Sequence, residues 1–106
     1  MAVTLTNFAP YKLTCNASAG TATKVTFPSG AVAFDVVSET SAGKYSNTGT
    51  DAVAIGNDYM SLPASAYISI PLPRAVYGSP AVVYFAHTDN SGVIRIVPIF
   101  DVTAVI

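Results

Sequence analysis

The 106-residue chain is 51% apolar yet only 10% charged, with five Lys and Arg, six Asp and Glu and a formal net charge of −1. A soluble domain usually carries about 25% charged residues, so much of this exterior must be small, uncharged or apolar, a surface suited to partner subunits. The length allows one domain with a modest core, the scattered Lys12, Lys24, Lys44, Arg74 and Arg95 form no track for nucleic acid, and no apolar run is long enough to insert in a membrane.

No segment shows the recurrence at three and four residues that a substantial helix needs, whereas short Val, Thr, Ile and aromatic stretches recur between Gly, Pro, Ser and Asn clusters. The chain, 1–106, therefore reads as a single all-β domain. The first candidates are Val3 to Phe8 and Tyr11 to Cys15, parted by Ala9-Pro10, where proline removes a backbone donor and offsets an edge strand. The start, Met1 to Thr6, lacks the pattern of a signal peptide, and Asn16-Ala17-Ser18 reads as a turn despite fitting a glycosylation sequon. Cys15 is the sole cysteine, so no intrachain disulfide can form, and alternation around it predicts a buried strand thiol.

Thr23 to Phe27 resumes extended structure, and Pro28-Ser29-Gly30 forms a turn in which proline fixes φ and glycine permits φ above zero. Ala31 to Ser38 is the clearest strand of the first half, with Val32, Phe34 and Val36 on a core face and Ala33, Asp35 and Val37 opposite. The stretch 39–50 is low in hydrophobicity and predicts an exposed loop. Within it, Tyr45 either anchors a partner or folds back over the sandwich edge.

Val53 to Ile55 is a short strand candidate, followed by the Gly56-Asn57-Asp58 turn, Tyr59 to Leu62, and Ala66 to Ile70. Pro71 and Pro73 bracket Leu72 and place that region at an edge or corner. Ala81 to Ala86 and Val93 to Val97 flank Asp89-Asn90-Ser91-Gly92, which predicts an antiparallel hairpin. A terminal strand is expected in 99–106, and the apolar end suggests a tied-down C-terminus. Eight or more such strands favour an antiparallel two-sheet sandwich or jelly-roll-like arrangement, with a small closed barrel as the structural alternative.

Chemical sites are sparse. His87 and Asp89 can form a hydrogen-bonded pair, but without a nucleophile or transition-state stabiliser the ordinary reading is a turn hydrogen bond, not a general base. Asp35, Glu39, Asp51, Asp58, Asp89 and Asp101 lie on separate elements, without the pairing of a glycosidase or the spacing of a calcium loop. No nucleotide signature, cofactor motif or metal-ligand set occurs, and the chain is not expected to be an enzyme. Among the tyrosines, Tyr67 and Tyr84 fall in strand candidates and are expected to pack. Tyr45, Tyr59 and Tyr77 are the better candidates for touching a partner or stacking on a sugar.

From Lys24 through Pro98 the chain resembles the small all-β virion proteins of tailed bacteriophages. The likeness rests on 25–36 (Val25 to Phe27, then Pro28-Ser29-Gly30 and Ala31 to Val36), on Asp51 to Gly56, on Tyr67-Ile68-Ser69-Ile70 and on Val82 to Val97. The turn here is Pro28-Ser29-Gly30 where an asparagine-rich form is more familiar, and Pro71-Leu72-Pro73 is a departure as well. The resemblance implies a structural role on the capsid exterior of the virion, as a decoration or cement protein joining major capsid subunits, and it carries over no active site. With the sparse charge, it predicts a homo-oligomer, specifically a trimer, with no direct nucleic-acid role. The alternative is a tail-associated adhesion module that recognises a host-surface glycan.

Overall fold

The structure, a computed structural model, describes residues 2–72 and 80–100. Within them run nine strands: β1 (Val3–Thr4), β2 (Tyr11–Thr14), β3 (Thr23–Thr26), β4 (Ala31–Ser38), β5 (Gly43–Ser46), β6 (Met60–Leu62), β7 (Ile68–Pro71), β8 (Val82–His87) and β9 (Val93–Phe100). They form two sheets, one in the order β1-β3-β8-β5-β6 and the other β2-β9-β4-β7. The protein is thus all-β, with two largely antiparallel sheets in a sandwich-like arrangement, and each sheet ends in edge strands that a closed barrel would not have.

The pairing is nested. β5 lies against β6, β4 against β7, β3 against β8 and β2 against β9, all antiparallel, so partners are taken inward from both ends of the chain. β4 with β9 and β5 with β8 complete the two sheets, and β1 adds in parallel to β3.

Alternation builds the core between the sheets. Leu13, Val25, Phe34, Val36, Leu62, Val83, Phe85, Ile94 and Ile96 are all buried, along with Phe27 just beyond β3. Phe34 is its centre, stacked on Phe27 at 5.1 Å between centroids and meeting Phe85 edge-on at 5.7 Å. Such offset and edge contacts suit the ring quadrupoles. The Pro28 carbonyl accepts from the Ala31 N–H, and Gly30 has φ +88°, a value that a Cβ would disfavour.

Several expectations are corrected. β8 and β9 do not form a hairpin: β8 sits between β3 and β5 in one sheet, and β9 between β2 and β4 in the other. The 88–92 segment is an arch between sheets, held where Cys15 N–H donates to the Gly92 carbonyl and Ser91 N–H to the Asn16 carbonyl. The stretch 39–50 is not wholly a loop, because Gly43–Ser46 is the interior strand β5. Val32 leaves the core face and is 43% exposed, since the β4–β9 register shifts between Ala31 and Ala33. One extra residue there reverses side-chain parity.

Val53 to Ile55 is no strand; the segment lies along Gly20 to Ala22, with Ala22 N–H donating to the Val53 carbonyl, Ile55 N–H donating to the Gly20 carbonyl and a single bridge between Thr21 and Ala54. The first strand stops at Thr4, before the Asn7 side chain closes a turn by accepting from Ala9 N–H. Ile99 and Phe100 belong to β9, which runs through Pro98; β2 accompanies β9 only along Val93 to Ile96, so at Pro98 a donor is missing where β4 alone is the neighbour. Positions 101–106 of the expected terminal strand, and Pro73, lie outside the described residues.

Candidate functional site: a groove at the end of β5 and β6

Tyr45 on β5 pairs directly with Met60 on β6 and with Phe85 on β8. Opposite residues in an antiparallel pair share a face, so a single inward-facing row runs from Phe85 through Tyr45 to Met60. Phe85 is fully covered by the other sheet and Tyr45 is half-buried, its ring meeting Phe34 edge-on at 6.3 Å. Met60, at the sheet edge, is 62% exposed. The core floor therefore continues out into solvent at this end of the molecule.

The β5–β6 connection surrounds that floor with polar groups. An open groove of about 470 Å³ is lined by Tyr45, Tyr59 and Met60 and by Ser46, Asn47, Thr48, Asn57 and Asp58. Ser46 Oγ accepts from Thr48 N–H at 3.2 Å, which fixes the chain as it leaves β5. Lys44 Nζ stands 4.4 Å from the centroid of Tyr59, a cation–π contact that holds the ring, yet Lys44 is not part of the groove lining. Tyr59 is 36% exposed. A smaller hollow of about 270 Å³ near Thr4, Pro10 and Tyr11 contains the Asn7 turn already described.

Of the three tyrosines singled out in the sequence, Tyr45 and Tyr59 are brought together here, and Tyr77 lies outside the described residues. Tyr45 takes the folded-back position on Phe34 while still lining the groove. Tyr67 departs from expectation: it precedes β7 and is 59% exposed. Tyr84 does pack, against Gly49, where an added Cβ would lie 3.2 Å from the ring. Sequence reading passed over Met60 as a site residue, placed Asn47 in the exposed 39–50 loop, took Asn57 as part of a turn, and weighed Asp58 as a turn residue and as one of six scattered carboxylates.

His87 is 1% exposed. Asp89 N–H donates to its Nδ1 at 2.9 Å, which places the ring proton on Nε2, and Nε2 donates to the Glu39 carbonyl at 2.9 Å. The Asp89 carboxylate is 3.9 Å from Nδ1. Both ring nitrogens therefore tie the arch at 88–92 to the start of the β4–β5 connection. Glu39 closes the same corner by an ion pair with Arg95, which raises the Arg95 pKa chiefly through that hydrogen bond.

Cys15 is buried just past β2, and burial pushes its thiol pKa up to about 12. The Asp51 carboxylate accepts from Lys24 N–H at 2.9 Å, and that hydrogen bond is the main cause of its lowered pKa. Among the described residues, no three of the His, Cys, Asp and Glu side chains gather in a group that could hold a metal ion. Compared with models of protein families, with curated proteins and with solved structures, the chain finds no match.

Proposed function

We propose that this chain is a capsid decoration or cement protein of a tailed bacteriophage, a homo-oligomer, specifically a trimer, on the capsid exterior that bridges neighbouring major capsid subunits. The observation that carries the reading is the nested pairing of β2 with β9, β3 with β8, β4 with β7 and β5 with β6. An antiparallel ribbon paired in this nested way and folded over into two sheets supports a jelly-roll reading, the arrangement used by viral capsid and lectin domains. The step from wrapping to role is an analogy between folds.

Two further features support it. Only 10% of the residues are charged, and Val32 and Phe100 stand exposed near the Gly30 turn, with Phe8 edge-on to Phe100 at 5.4 Å. Such apolar surface suits contact between copies or with a shell. The action is mechanical: several weak contacts made at once by an oligomer must break together when capsomers separate.

The test mixes purified protein with capsids assembled without it and measures co-sedimentation and the temperature at which shells rupture, with analytical ultracentrifugation for oligomeric state. The expected outcome is a trimer that saturates the shells and raises their rupture temperature. A monomer that leaves capsids untouched would reject the reading.

A further inference from the structure

We propose that the groove at the end of β5 and β6 binds a neutral, hydroxyl-rich saccharide. Its volume of about 470 Å³ falls within the roughly 300–1,000 Å³ of small-ligand sites. The open shape suits a sugar chain entering from solvent better than a small molecule that must be enclosed.

The floor and walls match the two sides of a sugar ring. The C–H face of a pyranose is apolar and packs on aromatic and thioether carbon, which the Tyr45–Met60 row provides as a floor, with Tyr59 at the rim of the lining. Lys44 on Tyr59 fixes the ring beforehand, which lessens the ordering cost of binding. The edge of a pyranose carries hydroxyls that each donate and accept. Asn47 and Asn57 offer both roles and Asp58 accepts only, so adjacent hydroxyls can be paired from the two ends of the β5–β6 connection at once.

Charge gives an anion no net grip. Among the described residues of the lining Asp58 is the one carboxylate, and Lys44 stands beside it against the ring of Tyr59, so one acid faces one base, a neutral sugar is the better fit, and a polynucleotide lacks the row of cations it would need. This inference does not rest on the capsid reading, because the groove can hold a sugar wherever the protein sits.

The probe is a panel of neutral hexose and N-acetylhexosamine oligosaccharides with sialylated counterparts, followed by chemical-shift mapping and titration on the intact chain. Binding of at least one neutral member is expected, with shifts centred on Asn57 to Met60 and weaker binding of its sialylated form. Tyr59→Ala should weaken that binding by about tenfold, and Asp58→Asn should narrow the preference for neutral over sialylated sugar. Tyr67→Ala, which removes an exposed ring that does not line the groove, should leave it unchanged. The proposal is overturned if no member binds at millimolar concentration, if the shifts map elsewhere, or if Tyr67→Ala weakens binding as much as Tyr59→Ala.

Discussion

Gly92 shows how tightly the arch is built, since a Cβ added there would lie 2.1 Å from His87 Cγ and 2.2 Å from Nδ1. The ring cannot yield without giving up its bonds to Glu39 and Asp89. Gly92→Ala should therefore cost about 3 kcal/mol, as overpacking in a full interior does. His87→Ala leaves a cavity and two unpaired backbone groups, at a cost of about 2–4 kcal/mol. The two changes should not add: in the double variant the alanine methyl enters space that the ring has vacated, so the total falls at least 1 kcal/mol below the sum. Denaturant unfolding of the four proteins checks this, and additive losses would mean that ring and glycine do not oppose each other. Cys15 gives a pH-dependent counterpart. Its folded pKa of about 12 stands above the ordinary thiol value of 9.0, so over that interval the unfolded chain loses the thiol proton while the folded chain keeps it. The contribution is complete below the unfolded pKa and is lost as pH rises toward the folded one, at up to about 1.4 kcal/mol per pH unit. Tyr and Lys titrate in the same range, so the measurement is the difference from Cys15→Ala, whose unfolding free energy should fall less steeply with alkali. Parallel slopes would show that Cys15 is not the group responsible.

At the scale of elements, stability should follow position in the sheets. β8 and β9 each have a strand on both sides, whereas β1 and β6 are edge strands of two and three residues. Hydrogen exchange should find the amides of Val83, Phe85, Ile94 and Ile96 opening only with global unfolding, and those of Val3 and Ser61 by local fraying orders of magnitude faster. Equal protection at Ser61 and Phe85 would contradict this order. The same distinction between strand and neighbour explains what could be read from the sequence. Ala31 to Ser38 was legible to the residue as β4, because its alternating apolar positions reflect burial, which is local. Val32 was misplaced because a bulge changes parity without changing composition. β5 was hidden for a steric reason: Gly43 faces Ser38 Oγ and Ile94 Cδ1, 3.1 and 3.2 Å from where a Cβ would stand, so a covered strand there carries small residues and looks like a loop. Asp89 to Gly92 correctly signalled a reversal, but turn chemistry does not say whether the chain returns to the same sheet or crosses to the other. The groove was legible only as Tyr45 and Tyr59 separately; the pairing of Tyr45 with Met60, which composition does not signal, brings them together with Asn47 and Asp58.

For the whole molecule, nesting imposes an order on folding. The innermost pair, β5 with β6, closes a short loop, while β2 must find β9 across nearly the full chain, Tyr11 lying opposite Ile96. Closing loops from the inside outward makes each later pairing shorter in effect, and β pairing of such long range places the folding time in the millisecond-to-second range. Leu62 in β6 and Leu13 in β2 allow a controlled comparison, since both are buried to 1% exposure or less. Truncation to alanine should cost either site about 2–5 kcal/mol at equilibrium. If the inner pair belongs to the transition state and the outer pair forms after it, Leu62→Ala lowers the folding rate, whereas Leu13→Ala mainly raises the unfolding rate. Stopped-flow chevrons of the two variants separate these effects. A Leu13→Ala folding limb slowed as much as that of Leu62→Ala would show that the ends of the chain meet before its middle has formed, and that the nested order describes the native pairing but not the route to it.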